Sequence, residues 1–240
     1  MSRKSRIAAA IVAAGALAAS AVVPQMTQAH VRQKHHRTAP VAHPMHGHKS
    51  AVLRALAAAL VPPAGTILHE RAMVATPGRT PQHYELWAQA DAPQAYRVIK
   101  WGHEGSWNGS SFSTYDAQTD TVTVSPASGP RPGASHEPVD YAASLRALVA
   151  SGEARVLGTS TIDGVPAYEL SVSGESVLPA GSTAYVAQSS YRPLVIDYNA
   201  YGGETISFES YEYLPATRAN LALLDLVAQH PGARVVGGSQ

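Results

Sequence analysis

The chain has 240 residues, no cysteine, 45% hydrophobic residues, and 18 Lys and Arg against 17 Asp and Glu. This composition is typical of a globular protein and argues against a disulfide-stabilised, collagenous or fully disordered chain. Without a thiol, the chain also lacks a cysteine nucleophile, a thiolate metal site and a lipid-modified N-terminal cysteine.

The N-terminal segment has the three parts of a secretory signal peptide. Three basic residues precede an uncharged, Ala-rich apolar run from Ile7 to Val23, and small residues follow at Thr27 and Ala29. The alternative is a membrane anchor, but the run is at the short limit for spanning a bilayer, and Pro24 ends it. We therefore expect residues 1–29 to be removed and the rest to be exported, as a soluble protein of the extracellular or cell-envelope space.

The charge of the remaining chain is slightly acidic. The predicted leader holds three basic residues and no acid, so residues 30–240 have 15 basic against 17 acidic residues, a net charge of −2. Binding to phosphate groups requires clustered Lys and Arg. Nucleic acid is therefore not an expected partner.

Residues 30–49 form a histidine-rich segment. Pro40, Pro44 and Gly47 interrupt any periodicity, which predicts a flexible linker. Neutral imidazoles bind zinc, copper or nickel, although the segment has no carboxylate to orient a ring. The alternative is a spacer that becomes more cationic as the pH falls through about 6.5. The candidate metal ligands are 6 of the chain's 11 histidines, His30, His35, His36, His43, His46 and His48.

The remainder, residues 50–240, is predicted to be one domain that starts with a helix. Ser50 can cap a short helix that has leucines at helical spacing and ends before Pro62. Gly, Pro, Asn and Asp then separate a series of short segments whose gaps predict successive antiparallel hairpins. The predicted strands are Thr66–Val74, His83–Ala90, Tyr96–Trp101, Ser111–Tyr115 and Thr121–Ser125.

A second helix and a second group of strands complete the predicted domain. Glu137 and Pro138 are expected to open this helix, which ends at Gly152, and Thr217 can cap a last helix. About ten strands and three helices predict an α+β fold, with helices covering one face of a large, curved antiparallel sheet. The later predicted strands are Arg155–Ser160, Ala167–Ser173, Thr183–Ala187, Leu194–Asn199 and Thr205–Tyr213.

Alternation in the strand from His83 to Ala90 places apolar side chains on both faces of the sheet. Tyr84 lies on one face, whereas Trp87 shares the other face with polar residues. One interpretation is that the face opposite the helices is partly apolar, as a lipid-binding surface would be. The other is that these rings pack under loops or helices. For a groove, the candidate ligand-binding residues are Tyr84, Trp87 and Trp101.

No sequence pattern points to catalysis. The chain lacks a Gly-x-Ser-x-Gly elbow, a phosphate-binding glycine loop and a His-Glu-x-x-His motif. His103 and Glu104 are the best acid–base pair, but they lie in a Gly-rich hairpin, where a solvated turn is the simpler interpretation. We therefore expect no catalytic residue, no cofactor and a protein that is not an enzyme.

Several short blocks, taken in order, resemble the LolA-like fold. This fold is shared by the periplasmic outer-membrane lipoprotein carrier and the lipid-sensing domain of the RseB/MucB sigma-factor regulators, and the likeness is to exported actinobacterial relatives. It covers roughly residues 50–235. The blocks are Gly65–Glu70, Ser113–Val122, Gly158–Leu170, Tyr185–Ala187 with Arg192–Leu194, and Tyr211–Thr217 with Leu223–Leu226.

The resemblance implies an incomplete β-barrel whose concave apolar face holds acyl chains under its helices. It implies an exported, carrier-like domain whose partner is a lipid or the acyl chain of a lipoprotein. One alternative is an envelope-stress sensor or sigma-factor-regulatory domain that binds an envelope or anti-sigma protein. Another is a metal-binding envelope protein that acts through its histidine-rich segment.

Overall fold

A computed structural model describes residues 49–91, 95–128, 138–172, 178, 181–198 and 203–237. The predicted signal peptide lies outside these residues, and so does Glu137. The six candidate metal ligands, His30, His35, His36, His43, His46 and His48, also lie outside them.

The described strands form one large, curved sheet that does not close, so the predicted α+β class is confirmed. Across the sheet the order is β12-β6-β5-β4-β3-β2-β1-β11-β10-β9-β8-β7. Two antiparallel meanders, β1 to β6 and β7 to β11, are joined by the antiparallel pair of β1 and β11. The strands are β1 (Thr66–Ala75), β2 (Gln82–Gln89), β3 (Tyr96–Lys100), β4 (His103–Trp107), β5 (Ser111–Asp116), β6 (Thr121–Pro126), β7 (Ala154–Ile162), β8 (Val165–Val172), β9 (Thr183–Ala187), β10 (Pro193–Tyr198), β11 (Glu204–Pro215) and β12 (Arg234–Gly237).

Helices cover both faces of this sheet. The long helices α1 (Lys49–Ala59) and α2 (Tyr141–Ala150) bury leucines against one face, which we call the inner face. A C-terminal segment made of α3 (Arg218–Leu221), a 3-10 turn (Ala222–Leu224) and α4 (Leu226–Gln229) covers part of the opposite, outer face, where Leu224 packs on Ile67 and Trp87. The main core therefore lies between the inner face and the first two helices.

Three helix boundaries differ from the sequence predictions. Helix α1 begins at Lys49, so Ser50 lies in its first turn and does not cap it. Helix α2 begins later than expected because the Asp140 side chain accepts a hydrogen bond from Ala143 N at 2.6 Å and so forms the N-cap. Thr217 is the N-cap of α3, as predicted. Asp225 is the N-cap of a separate helix, α4, so the single last helix that was expected is divided into two.

Two strands were not predicted. His103–Trp107 is strand β4 rather than a solvated turn, because its backbone pairs with β3 on one side and β5 on the other. The second is β12, which pairs in parallel with β6 and makes the sheet mixed at that edge. Gly237 in β12 has φ +84, and a Cβ there would overlap the carbonyl oxygen of Val124, so only glycine fits this close approach.

Candidate ligand-binding face

An apolar row crosses the inner face over five neighbouring strands. Leu68, Ala88, Tyr96, Trp107 and Phe112 lie directly opposite one another in successive strands, from β1 to β5. Directly paired residues of antiparallel strands point to the same face, so these side chains form one continuous band. Leu68 is buried in the main core, whereas the other four are only partly buried, and the Trp107 and Phe112 rings are 4.3 Å apart. We call this band the inner apolar row.

A buried carboxyl lies in the middle of the same face. Glu70 is paired with Tyr211 of β11 and Leu86 of β2, and its side chain is fully buried. Neither carboxyl oxygen has a hydrogen-bond partner among the described residues. Burial raises the pKa of Glu70 well above its usual value, and the nearby Asp140 carboxylate raises it further. The protonated form, which can both donate and accept a hydrogen bond, is therefore favoured.

The first residues of α2 are fixed over this part of the face by a tyrosine. The Tyr84 hydroxyl donates a hydrogen bond to the Val139 carbonyl oxygen at 2.8 Å and accepts one from the Val139 N–H at 3.1 Å. Asp140 follows as the N-cap, and burial raises the pKa of its carboxyl. The start of α2 is thus tied to β2 by the backbone of Val139.

Aromatic rings surround the carboxyl on the inner face. The Tyr141 ring meets those of Tyr84, Tyr198 and Phe208 edge-to-face, with centroids 5.7, 6.4 and 6.3 Å apart. Burial raises the pKa of the Tyr141 phenol, so it stays neutral. These rings belong to the main core, so Glu70 lies in an aromatic environment that is closed beneath α2.

The outer face carries a different, charged network. His69 lies between Glu85 and Glu212, with nitrogen–oxygen distances of 2.8 and 2.9 Å, and its ring stacks on Trp87 at 5.1 Å. The hydrogen bond to Glu85 raises the pKa of His69, an effect that burial partly opposes. The Arg97 guanidinium carbon lies 4.4 Å from the centroid of the Trp87 ring. Trp87 therefore contacts His69 and Arg97 through its ring faces while it packs with Ile67 and Leu224 in an apolar cluster.

Glu104 connects this network to the C-terminal segment. Its carboxylate contacts Arg97 Nε at 2.5 Å and His230 Nε2 at 2.8 Å, and the His230 ring stacks on Tyr115 with centroids 3.6 Å apart. His103 is exposed, and as neighbours in a strand His103 and Glu104 point to opposite faces. The structure therefore does not bring the two together as an acid–base pair.

The three ligand-binding candidates from the sequence occupy three different places. Tyr84 is buried on the inner face, and Trp87 is on the outer face, 7% exposed beneath the C-terminal segment. Trp101 lies in the turn between β3 and β4 and is 49% exposed. The structure does not bring them together into one surface.

Sequence reasoning missed Glu70 and the inner apolar row. The available signal was the alternation in β1. Glu70 is two residues from both Leu68 and Ala72, so its side chain points to the same face as theirs. Within the described residues, no group of three or more His, Asp or Glu side chains could hold a metal ion. No helix in that part of the chain is long and apolar enough to span a bilayer.

Comparisons with known proteins find distantly similar solved structures. No family model and no curated protein matches this sequence. A structure of the MucA/MucB complex from Pseudomonas aeruginosa is similar at 16% identity and a TM-score of 0.44, over 79% of this chain and 64% of that chain. LprF from Mycobacterium bovis is similar at 9% identity and a TM-score of 0.40, over 68% of this chain and 91% of that one.

A LolA superfamily protein from Nitrosomonas europaea is similar at 10% identity and a TM-score of 0.30, over 71% of this chain and 95% of that one. This chain spans less than two thirds of the matched chain in the MucA/MucB complex. The open, curved antiparallel sheet with helices on its inner face is the architecture that the sequence resemblance implied. The fold that the resemblance implied is therefore the fold observed.

Proposed function

We propose that this protein is an exported, non-enzymatic carrier that binds a lipid, or the acyl chain of a lipoprotein, on its inner face. The observation that supports this proposal is the inner apolar row. Four of its residues, Ala88, Tyr96, Trp107 and Phe112, are only partly buried by the described residues. The row adjoins the main core at Leu68.

The physical driving force is the removal of acyl carbon from water. Each methylene group that is buried contributes about 0.8 kcal/mol. An acyl chain that lies along the row would extend the apolar layer that α1 and α2 already form over the other half of the inner face. Micromolar binding corresponds to about −8.2 kcal/mol, which is the complete burial of about ten methylene groups before the entropic cost of association.

The experiment is native mass spectrometry of the protein purified from its own secretory route, with lipid extraction of the same sample. The wild type is expected to carry a lipid at fixed stoichiometry. Tyr96→Glu and Phe112→Glu place a charge within the row and are expected to abolish this binding. Leu157→Glu is the matched control, because Leu157 lies on the edge strand β7 and is already 53% exposed.

The proposal makes two outcomes decisive. Loss of lipid in the two row variants but not in Leu157→Glu supports binding on the inner face. A wild-type protein that is free of lipid, and remains so after incubation with phospholipids and fatty acids, contradicts it. Circular dichroism of each variant shows whether a lost lipid reflects a lost fold.

A further inference from the structure

The turn between β3 and β4 holds a tryptophan where the backbone favours asparagine or aspartate. Lys100 and His103 are directly paired, so the loop consists of Trp101 and Gly102 alone. Both residues have positive φ, +55 and +77, which is the pattern of a type I′ hairpin turn. A bulky side chain is strained in this left-handed conformation.

The same chain contains a second turn of this kind with the usual residues. Between β7 and β8, Ile162 and Val165 are paired across Asp163 and Gly164, whose φ angles are +49 and +84. Aspartate and glycine are the residues that this turn favours. Formation of the hairpin therefore does not require a tryptophan, and the indole ring itself needs an explanation.

The ring of Trp101 is exposed at the rim of the inner face. It is 49% exposed and is the only aromatic residue among the large, exposed hydrophobic residues of the described chain. Lys100 is paired with Tyr84 and so belongs to the inner face, and its ammonium nitrogen lies 4.2 Å from the centroid of the Trp101 ring. The ring therefore covers a lysine at the edge of the face to which we assign lipid binding.

We infer that Trp101 is a membrane-contact residue that inserts into the lipid–water interface of a bilayer. An indole ring has a large apolar body and one polar N–H, and such rings favour the headgroup region of membranes. Lys100 is only 7% exposed beneath this ring, so the indole is the group of the turn that is available to a membrane. The inference rests on the proposed function, because it gives the carrier a way to collect or release its lipid at a bilayer.

Insertion at this position would bring the rim of the inner face to the membrane. Tyr84 and Lys100 lie in one row across β2 and β3, so the turn is the end of a hairpin that forms part of the binding face. Tyr96 and Trp107 of the inner apolar row are paired at the other end of the same hairpin, so an acyl chain that leaves the bilayer next to Trp101 would follow β3 and β4 to reach them. Contact with a membrane therefore explains the exposed tryptophan, which the formation of the hairpin does not.

The test compares the wild type with Trp101→Asn in binding to vesicles of phosphatidylcholine, with and without phosphatidylglycerol. Asn-Gly is favoured in this turn, so the variant is expected to fold with an equal or higher Tm. Vesicle affinity is expected to fall at least tenfold, since burying half of an indole at about 25 cal/mol per Å² corresponds to a change of that size or more. The blue shift of tryptophan fluorescence on addition of vesicles is expected to be lost as well.

Leu157→Asn is the matched control, because Leu157 is equally exposed but lies on the far edge of the sheet. It is expected to bind vesicles as the wild type does. Both variants differ from the wild type at one position only, so contributions from the rest of the chain cancel. Trp101→Gly provides a second relaxed turn if the asparagine variant folds poorly.

Two outcomes overturn the inference. One is a wild type that binds neither kind of vesicle. The other is a Trp101→Asn variant that binds vesicles as well as the wild type does. Native mass spectrometry of Trp101→Asn separates this inference from the proposed function. Lipid retained by a variant that no longer binds vesicles supports both, whereas vesicle binding by a lipid-free wild type contradicts only the carrier function.

Discussion

Glu70→Gln is expected to stabilise the folded protein at neutral pH, and the gain is expected to increase with pH. Glu70 is fully buried without a hydrogen-bond partner among the described residues, and burial raises its pKa well above the usual 4.5. The unfolded chain releases this proton near pH 4.5. Above that pH, folding therefore requires uptake of a proton by Glu70, a step that glutamine does not need.

The size of the effect follows from proton linkage. Between the unfolded and the folded pKa, the free energy of unfolding of the wild type decreases by about 1.4 kcal/mol per pH unit because of this group. The difference between Glu70→Gln and wild type is thus expected to be near zero at pH 4 and about 1.4 kcal/mol one pH unit above 4.5. It reaches a plateau above the raised pKa. Glu70→Met is expected to add a gain of about 1–3 kcal/mol at all pH values, because it also removes the unpaired polar group.

The measurement is urea unfolding followed by tryptophan fluorescence between pH 4 and pH 8. Other groups that titrate, including His69, are present in both proteins, so their contributions largely cancel in the difference. A stability difference that stays constant over this range would refute the argument, since it would mean that Glu70 titrates alike in the folded and unfolded chain. Destabilisation by Glu70→Gln at pH 7 would show that the ionised carboxylate has a partner.

Three further predictions concern other parts of the molecule. The raised pKa of His69 stabilises the fold fully below about pH 6.5, and this contribution is lost as the pH rises through the raised value. His69→Gln is therefore expected to lower the free energy of unfolding more at pH 5.5 than at pH 9, measured by urea unfolding, and an equal cost at both pH values would contradict the raised pKa. Tyr84→Phe removes both hydrogen bonds to Val139, with an expected cost of about 1–3 kcal/mol, and unchanged stability would contradict their role. Gly237→Ala is expected to release β12 from β6, because the new Cβ would overlap the Val124 carbonyl oxygen. Amide hydrogen exchange in β6 should then accelerate, and unchanged exchange rates would disprove the close packing.

The order of the hairpins could be predicted because turn residues separate the strands regularly. Asp163 and Gly164, for example, mark their turn by residue type alone. Strand β4 was not predicted because it contains Gly105 and Ser106, which have a low propensity for strands. It forms nevertheless because its backbone pairs with both β3 and β5. Strand β12 follows Pro231 and Gly232, and only its contact with β6 makes it a strand.

The site was less predictable than the fold. Alternation correctly separated Tyr84 from Trp87, but both faces of β2 carry apolar groups, so the sequence could not tell which face the long helices cover. Glu70 was overlooked because a glutamate is ordinarily exposed, and its burial depends on packing by α2, which is distant in sequence. The inner apolar row depends on register between strands, which local patterns do not determine.

The pairing of β1 with β11 also has a consequence for how the chain acquires its structure. These two central strands are far apart in sequence, as shown by the contact between His69 and Glu212 across 143 positions. Contacts of such long range carry a large entropic cost of loop closure and are associated with slow folding. The middle of the sheet can form only after β11 has been synthesised, so until then β1 remains an edge strand with one side open to pairing.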